Sequence, residues 1–155
     1  MNFSICLPKN QASALEDARH RTGSDGWMHD AVALQVWRGP DIMAIIVVQN
    51  FAGTSVDGHL ATYSPRWCHP DALRVVYGYL RMRCRIERLR IPMVRSNTAA
   101  QIAALKAGFQ IDGVILSGSC NGSDAIVMSR SMSAPIRPAS PARLQHQPDG
   151  LTVED

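Results

Sequence analysis

One stretch constrains the fold more than any other. Two strand-like runs, Gly58–Ser64 and Leu89–Arg95, flank an amphipathic helix signal over Asp71–Arg85. Leu73, Val76, Tyr77, Leu80 and Cys84 recur at three and four residues, the period of a helix with one buried face. A helix of that length between two strands has the reach of a crossover, so the two strands are expected to run parallel in one sheet. A hairpin would need only a few residues at this place.

Strand and helix signals alternate through the rest of residues 1–130. Phe3–Leu7 is a short strand closed by Pro8, and Gln11–Arg21 reads as a helix with Asn10 at its N-cap and Gly23 past its end. Ala31–Trp37 and Ile42–Gln49 are β-rich runs on either side of the hairpin signal Arg38–Asp41. Pro65 stops the Gly58–Ser64 strand, and Pro92 marks a bulge or an edge in Leu89–Arg95. Asn97–Ala107 follows as a helix ended by Gly108, a residue suited to the left-handed position there. Phe109–Leu116 and Ala125–Ser129 then form two strands around the turn Ser119–Ser123. The order β-α-β-β-β-α-β-α-β-β combines antiparallel meanders with crossovers, which places residues 1–130 in the mixed α+β (α/β) class as a single domain.

From Ser131 the composition changes: residues 131–155 hold Pro135, Pro138, Pro141 and Pro148 and no aromatic side chain. Such a segment buries too little apolar area to order itself, so 131–155 is expected to be an extended or disordered tail. Ile136 and Leu144 are its candidate anchors on a protein partner.

The chain has 155 residues, 46% hydrophobic and 19% charged, which suffices for a core without staples. Its longest uncharged run, Ile42–Val56, contains Gln49, Asn50, Gly53, Thr54 and Ser55 and is too polar to span a bilayer. The first residues lack the basic and apolar segments of a secretory signal, so a soluble cytoplasmic protein without membrane contact is expected. Cys6, Cys68, Cys84 and Cys120 form no CxxC pair and are expected to be reduced thiols, with no metal site. Cys68, His69 and Asp71 form a metal-like or nucleophile-like cluster, but a loop that happens to hold them is the plainer explanation.

Charge is uneven. Eight arginines lie between Arg66 and Arg95 against only Asp71 and Glu87, and Arg74, Arg81, Arg85 and Arg88 share one helical face. That face is either solvated or an anion site for nucleotide phosphates or nucleic acid. Nucleic acid ranks lowest, because aromatic residues do not interleave with the arginines at base-stacking spacing.

Asn97, Ala100, Gly108 and Phe109 follow the pattern N-x-x-A/S-x(7)-G-F, continued by Asp112-Gly113, Gly122, Asp124 and Met128. On these residues the chain from about 30 to 130 resembles the GNAT (Gcn5-related N-acetyltransferase) superfamily. Gln49-Asn50-Phe51-Ala52-Gly53, His59-Leu60-Ala61 and Arg66-Trp67 are similar to GNAT-like proteins encoded by tailed bacteriophages and prophages. The resemblance implies a central mixed sheet flanked by helices and an acetyl-CoA-dependent transfer of an acetyl group to an amine. It also implies that the strand carrying Ala61 and Thr62 pairs with the cofactor arm. Arg66, Trp67 and Arg74 would lie at the pyrophosphate, with Asn97 on the following helix. His59 is the implied general base, its ordinary pKa near 6.5 suiting the task, and Tyr63 is a second polar group on the same strand face.

Two departures from the family pattern define an alternative. The loop Pro65–Asp71 has two prolines and none of the glycines of Q/R-x-x-G-x-G/A, and Ala104 stands where many members carry a tyrosine acid. The alternative is a non-catalytic GNAT-fold protein of a phage particle, assembled through its tail and therefore located in the virion.

Overall fold

The computed structural model describes residues 2–136. Seven strands and three helices follow one another: β1 (Phe3–Cys6), α1 (Gln11–Thr22), β2 (Val32–Arg38), β3 (Asp41–Ala52), β4 (Ser55–Thr62), α2 (Pro70–Met82), β5 (Arg88–Val94), α3 (Thr98–Lys106), β6 (Gln110–Ile115) and β7 (Ala125–Ser131). A short 3-10 turn, Pro65–Cys68, joins β4 to α2. The element order is the one expected, with boundaries shifted by a few residues.

All seven strands form one mixed sheet in the order β1-β2-β3-β4-β5-β7-β6. β1 to β4 are an antiparallel meander, because each connection is short enough for a turn or folds back on its neighbour. β4 and β5 are parallel, as the crossover through α2 requires. Their pairing is brief: only Ser55, Val56 and Asp57 register with Arg88, Leu89 and Arg90. Beyond Asp57 the two strands separate while β4 continues against β3 as far as Thr62, and β5 continues against β7 as far as Val94.

Alternation along the strands supplies two cores. Leu34, Val36, Ala44, Ile46, Val48, Val56 and Leu89 face α2, whose Leu73, Val76, Tyr77 and Leu80 are buried against them. Ala33, Ile45, Val47 and Ala61 face the other way, onto Ala14 and Ala18 of α1. β3 is therefore buried on both faces from Met43 to Val48, which explains its unbroken apolar run. The helix ends follow their expected chemistry. Asn10 Oδ1 accepts from Ser13 N at 3.0 Å, Asn97 Oδ1 accepts from Ala100 N at 3.1 Å, and Gly23 adopts φ 69°.

The domain extends past residue 130, where the tail was expected to begin. β7 runs to Ser131, Met132 is buried, and Met132 N donates to Glu87 O at 2.8 Å. The buried Arg130 guanidinium lies 4.5 Å from the Tyr77 ring centre and donates to Ala134 O at 2.7 Å. Ile136 packs on the α2 core of its own chain. Leu144 and the rest of the proposed tail lie outside the described residues. Among the described residues, no helix is long and apolar enough to cross a membrane.

Candidate active site

The separation of β4 from β5 opens a cleft of about 540 Å³. Gly58, Leu60 and Thr62 line one side and Ile91, Met93 and Val94 the other, while Trp67, Tyr77 and the small residues of α3 close it from the helical side. Gly58 stands at the vertex. A Cβ there would come 2.7 Å from Leu89 Cδ1, so the strands approach this closely only because the residue is glycine. Backbone groups of β4 beyond Asp57 have no β5 partner, which leaves a strand edge facing the cleft.

Thr22 at the end of α1 and His59 also line this cleft, so it reaches through the sheet to the α1 side. His59 registers with Val47, a residue of the α1 core, which puts both side chains on that face. Its ring packs against Trp27 with centres 5.4 Å apart, and Trp27 Nε1 donates to Leu15 O at 2.8 Å. Gln49 Oε1 accepts from Met28 N at 2.8 Å, and Gln49 Nε2 lies 3.1 Å from His59 Nε2. Burial holds the His59 pKa below its ordinary value, partly offset by the Asp57 charge. An amide nitrogen only donates, so His59 Nε2 accepts in this bond. The nitrogen that a general base would use is therefore already engaged.

The other expected site residues divide. Thr62, Trp67 and Asn97 line the cleft. Ala61 points to the α1 core and does not line the cleft. Tyr63 leaves the strand face on which it was expected, because β4 ends at Thr62. It lines a separate surface groove of about 390 Å³ with Arg38, Asp41, Ser64 and Arg66, and Arg21 lies 5.4 Å from its ring centre. Arg66 thus belongs to that groove and not to the cleft. Arg74 is exposed and ion-paired to Asp71 one turn earlier on α2.

In the loop between β4 and α2 and the helix start that follows, the amides of Arg66, Trp67, His69, Asp71 and Leu73 are bonded internally. Ser64 accepts from Arg66 N through Oγ and from Trp67 N through its carbonyl; Arg66 O accepts from His69 N. His69 caps α2, its Nδ1 accepting from Asp71 N at 3.2 Å and its carbonyl from Leu73 N at 3.0 Å. Pro65 and Pro70 offer no donor, and the Asp71 carboxylate occupies the positive end of the helix. These contacts also give His69 and Asp71 structural roles, and Cys68 packs against the α2 core. A nucleotide diphosphate needs unpaired amides at such a helix start, and with two prolines, most amides bonded and Asp71 at the helix end this loop fits that group poorly. The cleft does fit a narrow, mostly apolar arm with amides of its own, since a free strand edge and apolar walls await it.

Sequence reasoning missed Gln49 and Met28 as site residues. The signal was available for Gln49: in the β3–β4 hairpin it registers with Asp57, which makes His59 its diagonal neighbour on the same face.

No family model matches the chain and no curated relative matches it. Solved structures do. A Bacillus subtilis acetyltransferase in complex with CoA superposes with a TM-score of 0.62 at 12% identity, covering 84% of this chain and 99% of that one. The ribosomal-protein-S18-alanine N-acetyltransferase from Escherichia coli gives a TM-score of 0.62 at 17% identity, covering 86% and 96%. A GNAT-family acetyltransferase from Streptococcus pneumoniae gives 0.59 at 14% identity, covering 84% and 99%. At these identities the likeness establishes the fold: the chain has the GNAT fold over nearly its whole described length.

Proposed function

We propose that this GNAT-fold protein is an N-acetyltransferase that moves an acetyl group from a thioester donor, acetyl-CoA in the first instance, to an amine. The observation that carries the reading is the cleft at the β4–β5 divergence, which passes from the α2–α3 side of the sheet to His59 and Thr22 on the α1 side. A thioester arm entering from one side and an amine from the other would meet at Gly58–Leu60. The free β4 edge orients the arm through backbone hydrogen bonds, and the apolar walls exclude water from the thioester. Trp67 and Asn97 border the arm, and His59 borders the amine.

A second reading rests on the loop. Because most of its amides are bonded internally and Asp71 opposes an anion, the nucleotide part of CoA gains little here, which favours a non-catalytic GNAT-fold protein such as a phage particle component. Thiol release separates the two. Full-length protein with acetyl-CoA and a panel of amines should liberate free thiol above the uncatalysed rate. Absence of release with every amine, together with absence of binding, would leave the non-catalytic reading standing.

A further inference from the structure

Among the described residues, every side chain lining the cleft is uncharged. An ammonium group brought there would find no carboxylate to hold it. Asp57, whose charge acts on His59, is spent elsewhere: Oδ1 pairs with Arg90 Nε at 2.8 Å and Oδ2 accepts from Asn50 Nδ2 at 2.7 Å. Asp30, on the segment that covers His59, accepts from Asn50 N and Phe51 N, both at 3.0 Å. Both carboxylates are engaged away from the cleft, and neither lines it.

His59 does not fill the gap. The Met28 N–H fixes Gln49 Oε1 and thereby turns Gln49 Nε2 toward His59 Nε2. The neutral ring then carries its proton on Nδ1. Protonating Nε2 would set two donors against each other across 3.1 Å. Trp27 covers the ring, and its own N–H is taken by Leu15 O. The ring of this cleft-lining histidine therefore has Nδ1–H as its one donor.

We infer that the acceptor is a weakly basic amine that arrives uncharged, an α-amino terminus or an aromatic amine, and that Gln49 is the positioning residue that keeps His59 a donor. The inference rests on the transferase reading for its acceptor class, but not for the state of the ring. An α-amino group titrates near 7.7–8.0 and a lysine-type amine near 10.4, so at pH 7.5 about a third of the first but only about one in a thousand of the second is neutral. With no base to strip an ammonium, that difference passes directly into rate. The neutral amine's lone pair forms the C–N bond as the C–S bond breaks. The sulfur keeps that bond's electron pair, and one N–H proton ends on the sulfur, directly or through water.

Two experiments on the full chain test this. With acetyl-CoA at pH 7.5, an alanine-initiated peptide and an anisidine should be acetylated at least about 100-fold faster than spermidine or an α-blocked lysine. Equal or faster turnover of spermidine would overturn the acceptor class. Nitrogen-15 NMR of the His59 ring should show Nε2 as the unprotonated nitrogen, and Gln49→Glu should move the proton to Nε2 and raise the ring's titration. A wild-type ring protonated at Nε2 would overturn the role of Gln49. Absence of turnover with every amine would overturn the transferase reading and the acceptor class together, while the ring resonances would still decide what Gln49 does.

Discussion

Placing one methyl group at Gly58 tests whether glycine sets the approach of β4 to β5 at the vertex of the cleft. The Cβ of Gly58→Ala would lie 2.7 Å from Leu89 Cδ1, 3.3 Å from Cγ and 3.6 Å from Cδ2. Leu89 is 4% exposed within the α2 core, so its side chain cannot simply swing into solvent. Overpacking of this kind costs about 1–3 kcal/mol, which lowers the thermal midpoint by about 2–12 °C for a chain of this size. Leu89→Val removes the atom in conflict while costing about 1 kcal/mol by itself. The double variant Gly58→Ala/Leu89→Val should therefore be more stable than the sum of the single effects, with a coupling of about 0.5–2 kcal/mol. Chemical denaturation of the four proteins measures it. Strict additivity, or a Gly58→Ala protein as stable as the parent, would refute the claim that glycine sets the approach of β4 to β5.

Gly108→Ala should cost about 2–4 kcal/mol in the same assay, because φ is +89° and the new Cβ would fall 2.0 Å from Arg130 Nη1. Tyr77→Phe should cost about 1–2 kcal/mol, since the buried hydroxyl donates to Ala107 O at 2.8 Å and its loss leaves that carbonyl unpaired. His59 has a pKa lowered in the folded state, so folding releases protons and its contribution is full above the ordinary value of 6.5. Stability should fall as pH drops from 6.5 toward the lowered value, and His59→Gln should flatten that part of a thermal-midpoint profile; an unchanged profile would remove the burial argument.

The element order was legible because periodicity is a local property: the α2 stripe at three and four residues and the two-sided apolar run of β3 each announce their element. The parallel pairing of β4 with β5 followed from the length of the crossover. How closely β4 approaches β5 at the vertex did not follow, since it depends on Gly58 meeting Leu89, a contact between strands. Arg74 was expected near phosphate from the resemblance and its charge, but Asp71 lies three residues earlier on the same helix face and takes it first. Tyr63 was placed by alternation, which ceased to apply once the chain turned into Pro65. The start of the tail was misjudged because proline content says nothing of Met132, which the strand before it carries into the core.

Acetyl-CoA and acetyl-pantetheine differ by the nucleotide diphosphate, and comparing their affinities by isothermal titration tests the account most directly. If the cleft holds the thioester arm while the β4–α2 loop gives the diphosphate few free amides, both should bind, with affinities within about tenfold, or 1.4 kcal/mol. Acetyl-CoA binding more than about 100-fold tighter than acetyl-pantetheine would contradict the reading of the loop, and binding of neither would contradict the reading of the cleft.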